Sequence, residues 1–134
     1  LNVHDYRYYI KPAMKKLING IKAKHDVPVI LFGVGASHLV HEWNGLPIDV
    51  LGLDWRLSIK EANDLNITKT LQGNLDPSLL LAPWEVIEAR LKPILDQGLV
   101  HGKHIFNLGH GVFPQVKPET LKRITTFVHE YTQR

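Results

Sequence analysis

Val50-Leu51-Gly52-Leu53-Asp54-Trp55-Arg56-Leu57-Ser58-Ile59-Lys60-Glu61 is the stretch on which the fold of this chain turns. Val50 to Leu53 is an apolar run that reads as a strand, and it ends abruptly on a polar loop, Asp54-Trp55-Arg56. Ser58 and Glu61 then have the spacing of a capping box ahead of Ala62 and Leu65, which predicts a helix start. Strand, polar loop and helix make one βα unit.

The same unit recurs on both sides. Upstream, Val29-Ile30-Leu31-Phe32 lies between Pro28 and Gly33 and reads as a buried strand of a sheet covered on both faces. It leads through Gly33-Val34-Gly35-Ala36-Ser37 to a helix carrying Leu39, Val40 and Trp43. Downstream, Thr70-Leu71-Gln72 runs into Gly73-Asn74-Leu75-Asp76, and His104-Ile105-Phe106-Asn107 runs into Leu108-Gly109-His110-Gly111. Pro83 opens a helix with Val86, Ile87, Leu91 and Leu95, Pro93 is expected to bend it, and Gly98 to close it. A last helix starts at Pro118 and presents Leu121, Ile124, Val128 and Tyr131. Before the first strand, Val3, Tyr6, Ile10, Met14, Leu17 and Ile21 step by three and four, so a helix is expected there, kinked or split by Pro12.

About four βα units preceded by a helix predict an α/β protein with a parallel sheet and one domain over residues 1–134, since no linker or repeat interrupts the chain. Four units are half of the eight in a (β/α)8 TIM barrel. In parallel α/β folds of either kind, ligands bind beyond the carboxyl ends of the strands. The four polar loops are therefore where function is expected.

Composition narrows the chemistry. No cysteine is present, which removes disulfides, thiolate metal sites and cysteine nucleophiles. The net charge of +3 is spread over several segments rather than gathered in a patch, so nucleic-acid binding is not expected. No apolar run is long enough to span a bilayer, and residues 1–5 lack the pattern of a secretory signal, so a cytoplasmic protein is expected.

His110 is the leading candidate residue. An apolar run delivers it onto a loop between Gly109 and Gly111, which are expected to free the backbone and clear space beside the imidazole. Asp54, Asn74 and Asp76 are read as supports that fix loops by hydrogen bonds, with direct substrate contact as the lesser reading. Gly33 and Gly35 suit a tight βα turn or, alternatively, an anion held by backbone N–H groups. Trp55 and Arg56 either frame a cleft or stack at its rim, and the rim is preferred. The pairs His38/His41 and His101/His104, the second placed in a short loop, lack an evident third ligand, and no metal site is expected.

Three motifs then carry a resemblance: Gly52-Leu53-Asp54-Trp55-Arg56, Gln72-Gly73-Asn74-Leu75-Asp76-Pro77 and Asn107-Leu108-Gly109-His110-Gly111, in that order. With the apolar runs between them, the chain resembles the C-terminal part of the uroporphyrinogen decarboxylase family from about Leu1 to Arg134. That resemblance implies the C-terminal half of a TIM barrel, and a carboxy-lyase that converts uroporphyrinogen III to coproporphyrinogen III in haem biosynthesis without metal or organic cofactor. It also implies that His110 contacts the tetrapyrrole. The family's aspartate, arginines, tyrosine and serine or threonine lie upstream of this stretch, so the chain alone is expected to be inactive. Its expected partners are the tetrapyrrole, the missing N-terminal half of the barrel, and a second copy meeting it at open sheet edges. Two alternatives are a corrinoid-linked methyltransferase of the same superfamily and a small flavodoxin-like binding domain.

Overall fold

The strands of this protein follow one another across the sheet in the order in which they occur along the chain. In the structure, a computed structural model that describes residues 1–133, they are β1 (Ile30–Phe32), β2 (Val50–Gly52), β3 (Thr70–Gln72) and β4 (His104–Ile105), in the order β1-β2-β3-β4. All pairings are parallel, with Phe32 opposite Gly52, Gly52 opposite Gln72 and Gln72 opposite Ile105. Parallel neighbours require crossovers, and the helices supply them: α3 (Val40–Asn44), α4 (Ile59–Asp64) and α5 (Trp84–His101) connect the strands, and α6 (Pro118–Thr132) follows the last. A flavodoxin-like sheet reverses its strand order at a switch point. This sheet does not, and its sequential order is that of consecutive barrel units.

Two apolar clusters fill the space between sheet and helices. One joins Ile18, Trp43, Leu51, Leu53, Ile59 and Leu71, the other Leu75, Leu80, Ile87, Leu91 and Ile124, and Ile94 packs against both. Leu51 and Leu71 are fully buried at the middle of the sheet. The expectation that the first strand is covered on both faces fails on one of them: Leu31 packs against the core, whereas Ile30 and Phe32 on the opposite face are 49% and 46% exposed.

The opening helix also differs from its sequence reading. α1 (Val3–Asp5) passes through a π-helical segment, Tyr6–Ile10, into α2 (Lys11–Lys22), with Pro12 in the first turn of α2. Proline has no N–H to donate into the preceding turn, and the wider i→i+5 pattern accommodates that without breaking the rod. The extra residue in the turn rephases the apolar face. Tyr6 and Ile18 are buried and Met14 packs against the core, whereas Ile10, Leu17 and Ile21 face outward.

Local signals elsewhere hold. Ser58 caps α4 with both arms of the capping box in place, Pro83 caps α5, and α6 begins at Pro118. α5 runs through Pro93 without ending, and Gly98 does not close it. Gly102, with φ +75°, is the cap, while Gly98 sits in the last turns because a Cβ there would strike the His104 ring. His101 and His104 are consequently the end of a helix and the start of a strand rather than a shared loop. His104 Nε2 lies 2.6 Å from the Gly73 carbonyl oxygen, and burial holds its imidazole below the ordinary value despite that bond. Among the described residues, no helix is long and apolar enough to cross a membrane.

Candidate functional site

Asp54 organises the carboxyl ends of the strands. It follows β2 and Leu53 and is 3% exposed, so its carboxylate must be satisfied by protein groups. One oxygen, Oδ2, accepts from the Gly35 N–H at 2.6 Å and from Arg56 Nη1 at 2.7 Å; the other accepts from the Arg56 N–H at 3.0 Å. Burial pushes this carboxyl up, but the two backbone N–H groups and the guanidinium outweigh it and hold the group below the usual value. The N–H of Gly35, which the sequence offered to an anion, is thus spent on an internal one. Gly35 has φ +67°, which suits glycine.

The next two loops are tied to the same point. Asn74 is 4% exposed, and its Nδ2 donates to the carbonyls of Asp54 at 2.8 Å and Leu57 at 2.5 Å. Asp76 Oδ1 accepts from the Ser78 N–H at 2.9 Å and so caps the 3₁₀ turn Pro77–Leu81. Strand-like pairing continues beyond β3 and β4, with the Leu75 N–H donating to Asn107 O and the Gly109 N–H donating to Leu75 O at 2.7 Å. Gly109 is buried against the Asp54–Trp55 peptide, and a Cβ there would lie 2.7 Å from Trp55 N. It is close packing, not a positive φ, that requires glycine at 109. Gly111 meets open space.

On this support His110 stands exposed, its ring centroid 6.4 Å from that of Trp55 in an edge-to-face arrangement. Its Nδ1 accepts from the Gly111 N–H at 2.7 Å. A ring that uses Nδ1 as an acceptor carries its proton on Nε2, which leaves Nε2 free to donate to a ligand. Beside it lies a pocket of about 360 Å³ lined by Phe32, Leu53, Gln72, Asn107, Leu108, His110 and Gly111. Gly52 leaves room for the Phe32 ring, since a Cβ there would come within 3.0 Å of Phe32. An apolar floor edged by two amides and an imidazole can hold a largely apolar ligand that carries polar arms.

The structure therefore brings His110 and Gly111 together with residues the sequence reading had not marked, namely Phe32, Leu53, Gln72 and Asn107. The available signal was positional: Gln72 and Asn107 are polar residues at the ends of apolar runs. Asn74 and Asp76 face elsewhere, lining a cavity of about 220 Å³ with Trp55, Arg90 and Gln97. Gly33 serves packing, because a Cβ would reach within 2.8 Å of Trp43.

Glu42 was also missed. It is 6% exposed and fastens the opening helix to α3 by accepting from Arg7 Nη2 at 2.5 Å and Lys11 Nζ at 2.8 Å, and those two bonds lower its carboxyl from 4.5 to about 2. The i, i+4 spacing of Arg7 and Lys11 was its only trace in the sequence. The paired histidines are engaged singly: His38 Nε2 with Leu1 O, and His101 with Asn63 Oδ1 and Lys69 O. No group of three or more His, Asp or Glu residues that could hold a metal ion occurs among the described residues.

Comparison with known proteins follows the same line. Residues 1–131 match the family described as uroporphyrinogen decarboxylase (URO-D). Over all 134 residues the chain is 84% identical to uroporphyrinogen decarboxylase of Staphylococcus saprophyticus, and 75% identical to that of Staphylococcus aureus strain Newman. It spans 39% of the length of each of these relatives. Among solved structures, a methyltransferase from Methanosarcina mazei superposes with a TM-score of 0.78 at 16% identity, over 98% of this chain and 38% of that one. That likeness concerns the fold.

Proposed function

The chain belongs to the uroporphyrinogen decarboxylase family, and from that premise we propose that residues 1–134 form the C-terminal half of a decarboxylase barrel and one wall of its tetrapyrrole cleft. The reaction is the loss of four acetate carboxyl groups from uroporphyrinogen, giving coproporphyrinogen. At each arm a pyrrole carbon takes up a proton, the bond to the carboxylate breaks, carbon dioxide leaves, and its electron pair enters the cationic ring. The resulting methylene is protonated to a methyl group as the ring loses its extra proton. The substrate is its own electron sink.

Within that reaction the residues of this chain bind and orient. Phe32 and Leu53 lie against the face of the macrocycle, and the Gln72 amide oxygen accepts from a pyrrole N–H. His110 donates from Nε2 to a substrate carboxylate, a charge-assisted bond. The observation that carries the reading is the exposed His110 imidazole, its Nδ1 engaged by the Gly111 N–H, in a pocket otherwise lined by apolar and amide groups. No residue of the pocket is a carboxylic acid able to protonate the pyrrole, so turnover by the chain alone is expected to be negligible. The exposed β1 and β4 edges favour self-association or pairing with the complementary barrel half.

Titration of the isotopically labelled chain with coproporphyrin, a stable oxidised relative of the product, tests the binding role. Saturable shifts of the His110 ring signals, with weaker coproporphyrin binding by His110→Ala, support it. No shift in a chain that remains folded would overturn the claim that this wall binds the ring.

A further inference from the structure

Arg56 lies at the centre of the Asp54 network, yet most of its guanidinium is not used there. One N–H, on Nη1, bonds Asp54 Oδ2 at 2.7 Å, and no other hydrogen-bond acceptor of the guanidinium occurs among the described residues. The guanidinium carbon sits 4.2 Å from the centroid of the Trp55 ring, so the fork is stacked on an indole as well as tied to a carboxylate. Its side chain is 48% exposed while that of Asp54 is 1% exposed. The ion pair is therefore a dipole with its negative end sealed inside and its positive end at the surface.

The same indole that carries Arg56 meets the His110 ring edge to face, at 6.4 Å between centroids. We propose that Arg56 is a second substrate anchor, which takes another carboxylate of the tetrapyrrole at the rim of the His110 cleft and thereby selects for multiply carboxylated macrocycles. This rests on the tetrapyrrole reading above. A planar fork held on two sides by Asp54 and Trp55 has lost freedom before the ligand arrives, and the N–H groups that Asp54 leaves unused can donate to a carboxylate. A lock for Asp54 alone would need only the one N–H. His110 and Arg56 then hold two acidic arms of one ring system, which fixes its orientation over Phe32 and Leu53.

Coproporphyrin binding is measured by fluorescence at two salt concentrations for the parent chain, Arg56→Gln, Arg56→Lys, His110→Ala and Lys24→Gln. Lys24 is exposed just beyond the end of α2 and controls for the loss of one positive charge. Arg56→Gln is expected to weaken binding about tenfold, the size of one charge-assisted hydrogen bond, and to flatten the salt dependence. Arg56→Lys should restore the salt dependence and part of the affinity, and Lys24→Gln should stay within about twofold of the parent, as a distant screened charge does. If Arg56→Gln binds as tightly as the parent while His110→Ala does not, the Arg56 proposal is overturned and the His110 reading stands. Weaker binding with an unchanged salt dependence, not rescued by lysine, would make Arg56 a purely structural residue and also overturn it. A parent chain that does not bind coproporphyrin overturns both.

Discussion

The inner and outer strands of this sheet use the same kinds of residue and meet opposite fates. Leu51 in β2 and Leu71 in β3 expose no surface, whereas Ile30 and Phe32 in β1 and Ile105 in β4 expose between 43% and 49%. Face and neighbours decide together: Leu31 of β1, the register partner of Leu51, packs against the core, whereas Ile30, Phe32 and Ile105 lie on the other face of the sheet. The inner pair is where stability is concentrated, and the outer pair leaves unpaired backbone and bare side chains available for association.

The sharpest way to break this contrast is Leu71→Ala, expected to cost about 3 kcal/mol in urea unfolding because a fully buried leucine leaves a cavity behind. A cost below about 1 kcal/mol would mean that the inner strands are not the stable element. Gly109→Ala comes next. Its new methyl would meet the Trp55 backbone, so a loss of about 2 kcal/mol and displaced His110 ring signals are expected, while Gly111→Ala, in open space, should stay within about 0.5 kcal/mol of the parent. Equal effects at the two glycines would show that the His110 loop is not packed on the Asp54–Trp55 peptide.

Glu42 sharpens the comparison from another side, since it fastens the outer helix by ion pairs rather than by apolar burial. Its folded pKa, about 2, lies below the ordinary 4.5, so its stabilisation is complete above about 4.5 and is lost as pH falls from 4.5 towards 2. Glu42→Gln should cost about 1 kcal/mol at neutral pH, because Arg7 is largely exposed, and should flatten the acid limb of stability measured by urea titration. An unchanged acid limb would remove Glu42 from that role. The smallest stability effect is expected for Phe32→Ser with Ile105→Ser, within about 1 kcal/mol in urea unfolding. In analytical ultracentrifugation the parent should self-associate and the double variant less so; a parent that stays monomeric at high concentration would count against open-edge association.

Much of this was readable along the chain. The capping box at Ser58, the starts at Pro83 and Pro118 and the four strand-to-loop switches depend on residues a few positions apart, and they appear where local chemistry placed them. What was misread depended on distance. Gly98 looked like a helix stop because nothing nearby in sequence shows that His104 presses on it, and Leu17 and Ile21 looked buried because the apolar spacing does not reveal the π segment that shifts the helix phase. In the site, His110 was legible from its flanking glycines and its motif, which also holds Asn107, but Phe32 and Gln72 were not, since they join it only through the parallel register.

By itself, the sequence determined the alternation of strand and helix, the loops at the carboxyl ends of the strands, and the family, because caps, periodicities and short motifs are written in neighbouring residues. Tertiary structure alone decided which apolar residues are inside, why Gly98 and Gly109 must be glycine, and how Asp54 gathers the Gly35, Arg56 and Asn74 loops beneath His110. Burial, close approach and hydrogen bonding between distant segments are properties of what a residue meets in space, and they arise only when the strands pair.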